Sequence, residues 1–253
     1  MGWIIGALQR VVFFMLLLLI ALISLTWNVI ALCLYPIFDE TNGRRIGRAG
    51  IAYSYRLFWT AASATGIMRL DVTALDQLRD EPNGLIIAAN HPSVMDGVLI
   101  ASRLPRTCCI MKASLRRNVF LGAATKFARY IRNDLPLAMI KHAVADLRSG
   151  GQLIIFPEGT RTVVPGVNPF RPGMTLIAKL ASVPVQTVFI ETQSPYLTKG
   201  WPLWRMPLFP IVVRVRLGQR FAPEADHKAL LRRLEHYFRE NLAPGLPAMR
   251  KAG

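Results

Sequence analysis

Leu85-Ile86-Ile87-Ala88-Ala89-Asn90-His91-Pro92-Ser93-Val94-Met95-Asp96 is the stretch on which the fold turns. The first five residues are an unbroken apolar run, set off by the turn Pro82-Asn83-Gly84. A run this short, bounded by turn residues, reads as a strand buried on both faces. Such strands belong to parallel sheets covered by helices on either side. Working outward, strands are expected at Thr107–Met111, 153–156 and 185–190. A further strand at 211–217 alternates strictly, with Arg214 and Arg216 turned outward. Helical spacing is found at 97–103, 120–131, 137–148, Gly173–Ala181 and 226–242, with Ser149-Gly150-Gly151 stopping the third of these. Strands alternating with helices define an α/β class: a mixed, largely parallel sheet flanked by helices.

The N-terminus is different in kind. Residues 11–34 carry no charge and are almost wholly apolar. At about 1.5 Å per residue such a helix is long enough for a hydrocarbon core of about 30 Å. A cleaved signal has an apolar region of only about 7–15 residues, so a retained membrane helix is expected instead. Arg10 precedes the span, whereas Arg44, Arg45, Arg48 and Arg56 follow it. That bias places the C-terminal domain at the cytoplasmic face of the inner membrane, for a spanning or a monotopic helix alike. The expected organisation is a transmembrane or monotopic anchor at 1–38, then a linker and amphipathic interfacial helix at 39–70. A catalytic domain follows at 71–242 and a disordered tail at 243–253. The linker is read from the polar, turn-rich residues 39–50, the helix from 51–70 with Tyr55, Phe58 and Trp59 near one face.

The formal net charge is +16, nearly all of it after Gly43. Beside a membrane helix, anionic lipid is the partner such a surface suits. A nucleic-acid role would call for a reading module, and none is recognisable in the sequence. Cys33, Cys108 and Cys109 show no metal-ligand spacing, no metal is expected, and the adjacent pair reads as reduced core residues.

Two short segments carry chemistry. In the first, His91 follows a buried strand at the end where α/β folds place ligands. Asp96, five residues on, can accept from one ring nitrogen and leave the other free to take a proton. Taken alone, H-x₄-D reads as well as a structural cap. The second segment, Phe156-Pro157-Glu158-Gly159-Thr160-Arg161, also ends an apolar strand. Gly159 allows a close backbone approach, Arg161 offers a planar fork to phosphate oxygens, and Glu158 can bind a hydroxyl or hold Arg161. Alone, it reads equally as a tight turn with a surface ion pair.

Together, in this order, the two segments resemble the signatures N-H-x₄-D and F-P-E-G-T-R of the glycerophospholipid acyltransferase family, whose best-known members are 1-acylglycerol-3-phosphate acyltransferases. The resemblance covers roughly residues 71–220 and implies the glycerolipid acyltransferase fold. It implies that His91 is the general base on an acceptor hydroxyl, held by Asp96. It implies that Glu158, Gly159, Thr160 and Arg161 meet the glycerol and phosphate of a lysophospholipid such as 1-acyl-sn-glycerol-3-phosphate. Lys112 matches a basic residue of the family, and Val183-Pro184-Val185 its proline-bearing fourth block, associated with substrate binding or site shape. One block departs: Asn133 stands where an arginine is usual, with Arg132 beside it as the substitute. The implied co-substrate is acyl-CoA or acyl-carrier protein, with no bound cofactor. Two rival readings remain: an acyl thioesterase or lipid hydrolase on the same fold, and a non-catalytic lipid-binding protein.

Overall fold

The computed structural model describes residues 2–162 and 167–242; the expected disordered tail at 243–253 lies outside them. Two long helices open the chain, α1 (Gly2–Leu34) and α2 (Glu40–Ala64). Then come β1 (Met68–Asp71), β2 (Leu85–Ala89), α3 (Asp96–Arg103) and β3 (Thr107–Met111). A 3-10 turn at Ala113–Arg117 leads to α4 (Gly122–Phe127), β4 (Ile131–Arg132), α5 (Pro136–Arg148) and β5 (Gln152–Ile155). The described chain closes with α6 (Gly173–Ala181), β6 (Val185–Thr192), β7 (Ile211–Phe221) and α7 (His227–Asn241).

The strands form one seven-stranded sheet in the order β1-β7-β6-β2-β5-β3-β4. The five from β6 to β4 run parallel, while β7 pairs antiparallel with β6 and parallel with β1. This is the mixed, largely parallel sheet expected. Every residue of β2 and of β5 is buried, which is why both read as unbroken apolar runs. The two strands are direct neighbours, with Ala88 opposite Ile155. The loops that follow them, far apart in sequence, therefore leave the sheet side by side.

Two local expectations are corrected. Residues 39–50 are not a linker: Asp39 caps α2, its side chain accepting from Asn42 N at 2.7 Å, and helix runs from Glu40. The glycines that suggested turns are contact points. A Cβ on Gly47 would lie 2.6 Å from the Ala128 backbone, and one on Gly50 would lie 1.8 Å from the Trp27 ring. The helical cost of about 1 kcal/mol per glycine is offset by that close packing. The same helix ends at Ala64 rather than Leu70, and Met68–Asp71 becomes β1. Likewise the helix expected over 120–131 stops at Phe127, and Ile131–Arg132 forms an edge strand against β3.

Helix α1 is long and apolar enough to cross a membrane. It does not stand apart from the domain. Phe13, Leu16, Ser24 and Ala31 are buried along one face, and the first, second and last of these join the same core as the sheet. Ser24 Oγ lies 3.1 Å from Tyr55 Oη; Asn28 donates to Val119 O at 2.8 Å and accepts from Ala124 N at 2.9 Å. The opposite face, with Phe14, Leu18, Leu22, Leu25 and Val29, is exposed and apolar. The packed stretch from Phe13 to Ala31 is about 27 Å long at helical rise, close to the thickness of a hydrocarbon core.

Candidate active site

The loop after β2 is fixed at both ends. Asn90 donates to Ile190 O at 2.8 Å and accepts from Ile190 N at 2.7 Å, tying the start of the loop to β6. Asp96 opens α3 and is almost wholly buried. Its Oδ2 lies 2.9 Å from His91 Nδ1 and accepts from Ser93 N at 2.7 Å. The imidazole stacks on Phe156 with ring centroids 3.9 Å apart, so the second motif supplies a wall for the first. The His91 side chain is 18% exposed, and with Nδ1 engaged by the carboxylate, Nε2 is the nitrogen left for a substrate proton. Burial pushes the Asp96 carboxyl up, against the opposing pull of the His91 and Ser93 hydrogen bonds and of the Arg161 charge.

The two motifs are joined by a residue that sequence reasoning passed over. Thr162 N donates to His91 O at 2.7 Å, and Thr162 Oγ1 accepts from His91 N at 2.8 Å. The same hydroxyl donates to Glu158 Oε1. Glu158 Oε2 accepts from Asn168 N at 3.0 Å and Asn168 Nδ2 at 2.6 Å. Both carboxylate oxygens are thus engaged inside a buried side chain, so Glu158 holds the loop together. The only signal in the sequence was a hydroxyl one position beyond the hexapeptide.

Arg161 and the dyad loop meet at Leu197, whose carbonyl accepts from Val94 N at 3.2 Å and from Arg161 Nη1. That Nη1 donates to Leu197 O and Thr198 O, each at 2.9 Å, which orients the guanidinium and leaves its other nitrogens unengaged by described residues. Gly159 adopts φ +67°, and Arg171 lies over it so closely that a Cβ there would meet Nε at 2.5 Å. Thr160 is exposed at the loop tip, and Lys112 is exposed at the end of β3.

Two expected site residues are placed elsewhere. Pro184 precedes β6, and its carbonyl accepts from Ile86 N at 3.1 Å, at the amino end of β2. His91 leaves the carboxyl end of that strand, so Pro184 shapes the start of β6 at the opposite, amino end of the parallel strands. Arg132 ends β4, three strands from β2 at about 4.8 Å per strand, and pairs with Asp134. Asn133, where an arginine is usual in the family, accepts from Ala113 N at 3.2 Å.

Below the dyad runs an apolar cleft of about 70 Å³, lined by Ser93, Met95 and Asp96 and walled in part by Leu17 and Ile20 of α1 and Phe58 of α2. The N-terminal helix therefore walls the cleft that Asp96 lines. Among the described residues, no group of three or more His, Cys, Asp and Glu side chains converges as a metal would require.

Residues 69–191 match the family model Acyltransferase, a stretch that holds both motif loops. The match takes in a little under half of the chain and marks it as similar to O-acyltransferases. It is 23% identical over 228 residues to a 1-acyl-sn-glycerol-3-phosphate acyltransferase of Pseudomonas aeruginosa, covering 87% of this chain and 83% of that one. It is 25% identical over 174 residues to a Caenorhabditis elegans protein provisionally named for the same activity, covering 66% of this chain and 59% of the relative's length. The fold matches the crystal structure of PlsC, the 1-acyl-sn-glycerophosphate acyltransferase of Thermotoga maritima, with a TM-score of 0.71 and 21% identity over 96% of both chains.

Proposed function

We propose that the chain transfers a fatty acyl group from a thioester donor to the free hydroxyl of a lysophospholipid, with 1-acyl-sn-glycerol-3-phosphate as the reference acceptor. The observation that carries this reading is the His91–Asp96 pair, 2.9 Å apart, set between the Arg161 loop and an apolar cleft. Asp96 holds Nδ1, and His91 Nε2 takes the acceptor's hydroxyl proton as the oxygen attacks the thioester carbonyl. The resulting oxyanion needs donors, and the backbone N–H groups of Gly97 and Val98, in the first turn of α3, face no intrahelical acceptor. Collapse breaks the carbon–sulfur bond, and the imidazolium returns its proton to the departing thiolate. Arg161 holds the acceptor phosphate through the nitrogens not spent on Leu197 and Thr198. Acyl-CoA or acyl-carrier protein supplies the thioester, and no bound cofactor enters this chemistry.

In the same reading α1 lies in the lipid interface of the inner membrane, its outer apolar face in lipid and the catalytic domain on the cytoplasmic side. The observation in support is the contact of α1 with the domain from Phe13 to Ala31. A helix crossing the bilayer would have to give that contact up.

A positioned general base contributes about 10²–10⁴-fold. The His91→Ala protein, purified with its lipid, is expected to lose acyl transfer to 1-acyl-sn-glycerol-3-phosphate by about that factor while staying folded. Mass spectrometry of products from labelled donor reads the result. Transfer at the wild-type rate would overturn the base assignment, and free fatty acid formed at an equal rate without acceptor would overturn transfer in favour of hydrolysis.

A further inference from the structure

At the β4 edge of the sheet lies a second cavity, of about 440 Å³, whose lining shares no residue with the apolar cleft. Its walls carry four arginines, Arg44, Arg116, Arg129 and Arg132, against three acids, Glu40, Asp134 and Asp146. Two of those acids are already engaged. Asp146 is held by Arg44 at 3.1 Å and by the buried Arg48 at 2.7 Å, and Asp134 is held by Arg132 at 2.7 Å.

Arg116 and Arg129 are left without a carboxylate partner among the described residues. Arg116 Nη2 donates to Tyr130 O at 3.3 Å, Arg129 Nη1 donates to Tyr35 Oη at 3.3 Å, and the Nε of each is buried with no acceptor. Unpaired buried donors on two charged groups are costly, and such exceptions call for an explanation. Arg129 also holds φ +57°, a conformation that a non-glycine residue adopts at a cost and that clusters at functional positions. Partial burial, with Arg132 and Arg129 as like-charged neighbours, lowers the pKa of Arg116.

We propose that this cavity is a second phosphate-binding site, which takes an organic phosphate between Arg116 and Arg129. The volume exceeds what a bare phosphate needs and falls within the range of ligand pockets, about 300–1,000 Å³. Leu135, Ala138 and Met139 give it an apolar side for the organic part. Tyr35, which directly follows α1, carries Arg129 and Lys126 over its ring, so one wall arginine of the cavity is tied to the end of the apolar helix. Two sources share the required chemistry: the headgroup of an anionic phospholipid, and the nucleotide end of a coenzyme-type donor. With a lipid headgroup the site stands independently of the acyl-transfer reading, whereas the nucleotide source rests on it.

Arginine-directed labelling with phenylglyoxal, mapped by mass spectrometry on the wild-type protein in detergent, tests it without relying on a variant that folds. The probes are dihexanoyl phosphatidic acid and 3′,5′-ADP, with sulfate at equal ionic strength as the control. Protection of Arg116 and Arg129 by the lipid, or by the nucleotide, supports the site and names its source. Equal protection by sulfate, or by none of the three, overturns it. In parallel, R116Q/R129Q is expected to weaken binding of the protecting probe by about ten-fold or more, and R116K/R129K by less. Unchanged affinity in the glutamine variant, with its melting temperature retained, overturns the assignment as well.

Discussion

The two motif loops and the cavity at the β4 edge are built on opposite principles. At the β2–β5 seam nearly every polar atom has a partner: Asp96 accepts from two groups, Glu158 from three, and Thr162 bonds at once to both motif loops. At the β4 edge two guanidinium groups keep buried nitrogens without acceptors. A saturated network fixes geometry before any ligand arrives, as general-base chemistry requires. An unsaturated cationic pocket draws its order from what it binds. On the readings proposed above, the difference separates a place built to make bonds from a place built to hold a ligand.

The contrast can be broken first at the dyad. The Asp96→Asn protein keeps the size of the side chain but not the carboxylate that fixes the imidazole tautomer, and a loss of about 10²–10⁴-fold in kcat is expected. A pH–rate profile of wild type and variant, run beside a melting curve, checks it. An unchanged rate would mean that the pair is structural.

Next comes the clasp. Thr162→Val removes the hydroxyl from His91 N and Glu158 Oε1 while keeping the shape, leaving a buried carboxylate oxygen and an N–H short of a partner. A destabilisation of about 1–3 kcal/mol is expected, read as a lowered melting temperature. Activity should fall further than that of an equally destabilised variant remote from the loops. Equal falls would reduce the clasp to ordinary packing.

The smallest effect is expected at the cysteine pair behind the second cavity, where Cys108 Sγ donates to Arg129 O at 3.6 Å. Burial pushes the Cys108 and Cys109 thiols up to about 12, whereas a free thiol titrates near about 8.5. Both stay protonated at neutral pH, so iodoacetamide should label them only after unfolding, without loss of activity before it. The sign of the linkage follows from the raised values. The unfolded chain gives up these protons first, so the stability they contribute is complete below about 8.5 and is lost as pH rises toward about 12. Rapid labelling of the folded protein at neutral pH would contradict the burial.

Much of this architecture is written in the sequence where one rule dominates. Leu85–Ala89 and the run before Phe156 declare themselves because a strand covered on both faces needs apolar residues at every position. The dyad was legible because His91 and Asp96 lie in a single loop. Glycines were misread in 39–50 because a residue without a side chain suits a turn and a tight helix contact equally, and only the neighbour decides. The two-residue β4 is too short to show a period. Thr162 was silent because a hydroxyl beside a motif looks like any loop threonine until the partner strand is known. Arg132 stood next to the family's usual position, yet the strand order carries it to the other cavity.

One consequence of the way α1 lies along the domain concerns how the chain is made and cut. Phe13 packs against Tyr196 and Phe209, its ring centroid 5.6 Å from the first and 5.7 Å from the second. Proteolysis after residue 38, or translation from a later start, would not release a water-soluble enzyme. It would open an apolar seam running to the cleft that Asp96 lines, so on the reading proposed above the lipid-facing helix and catalytic competence are lost together.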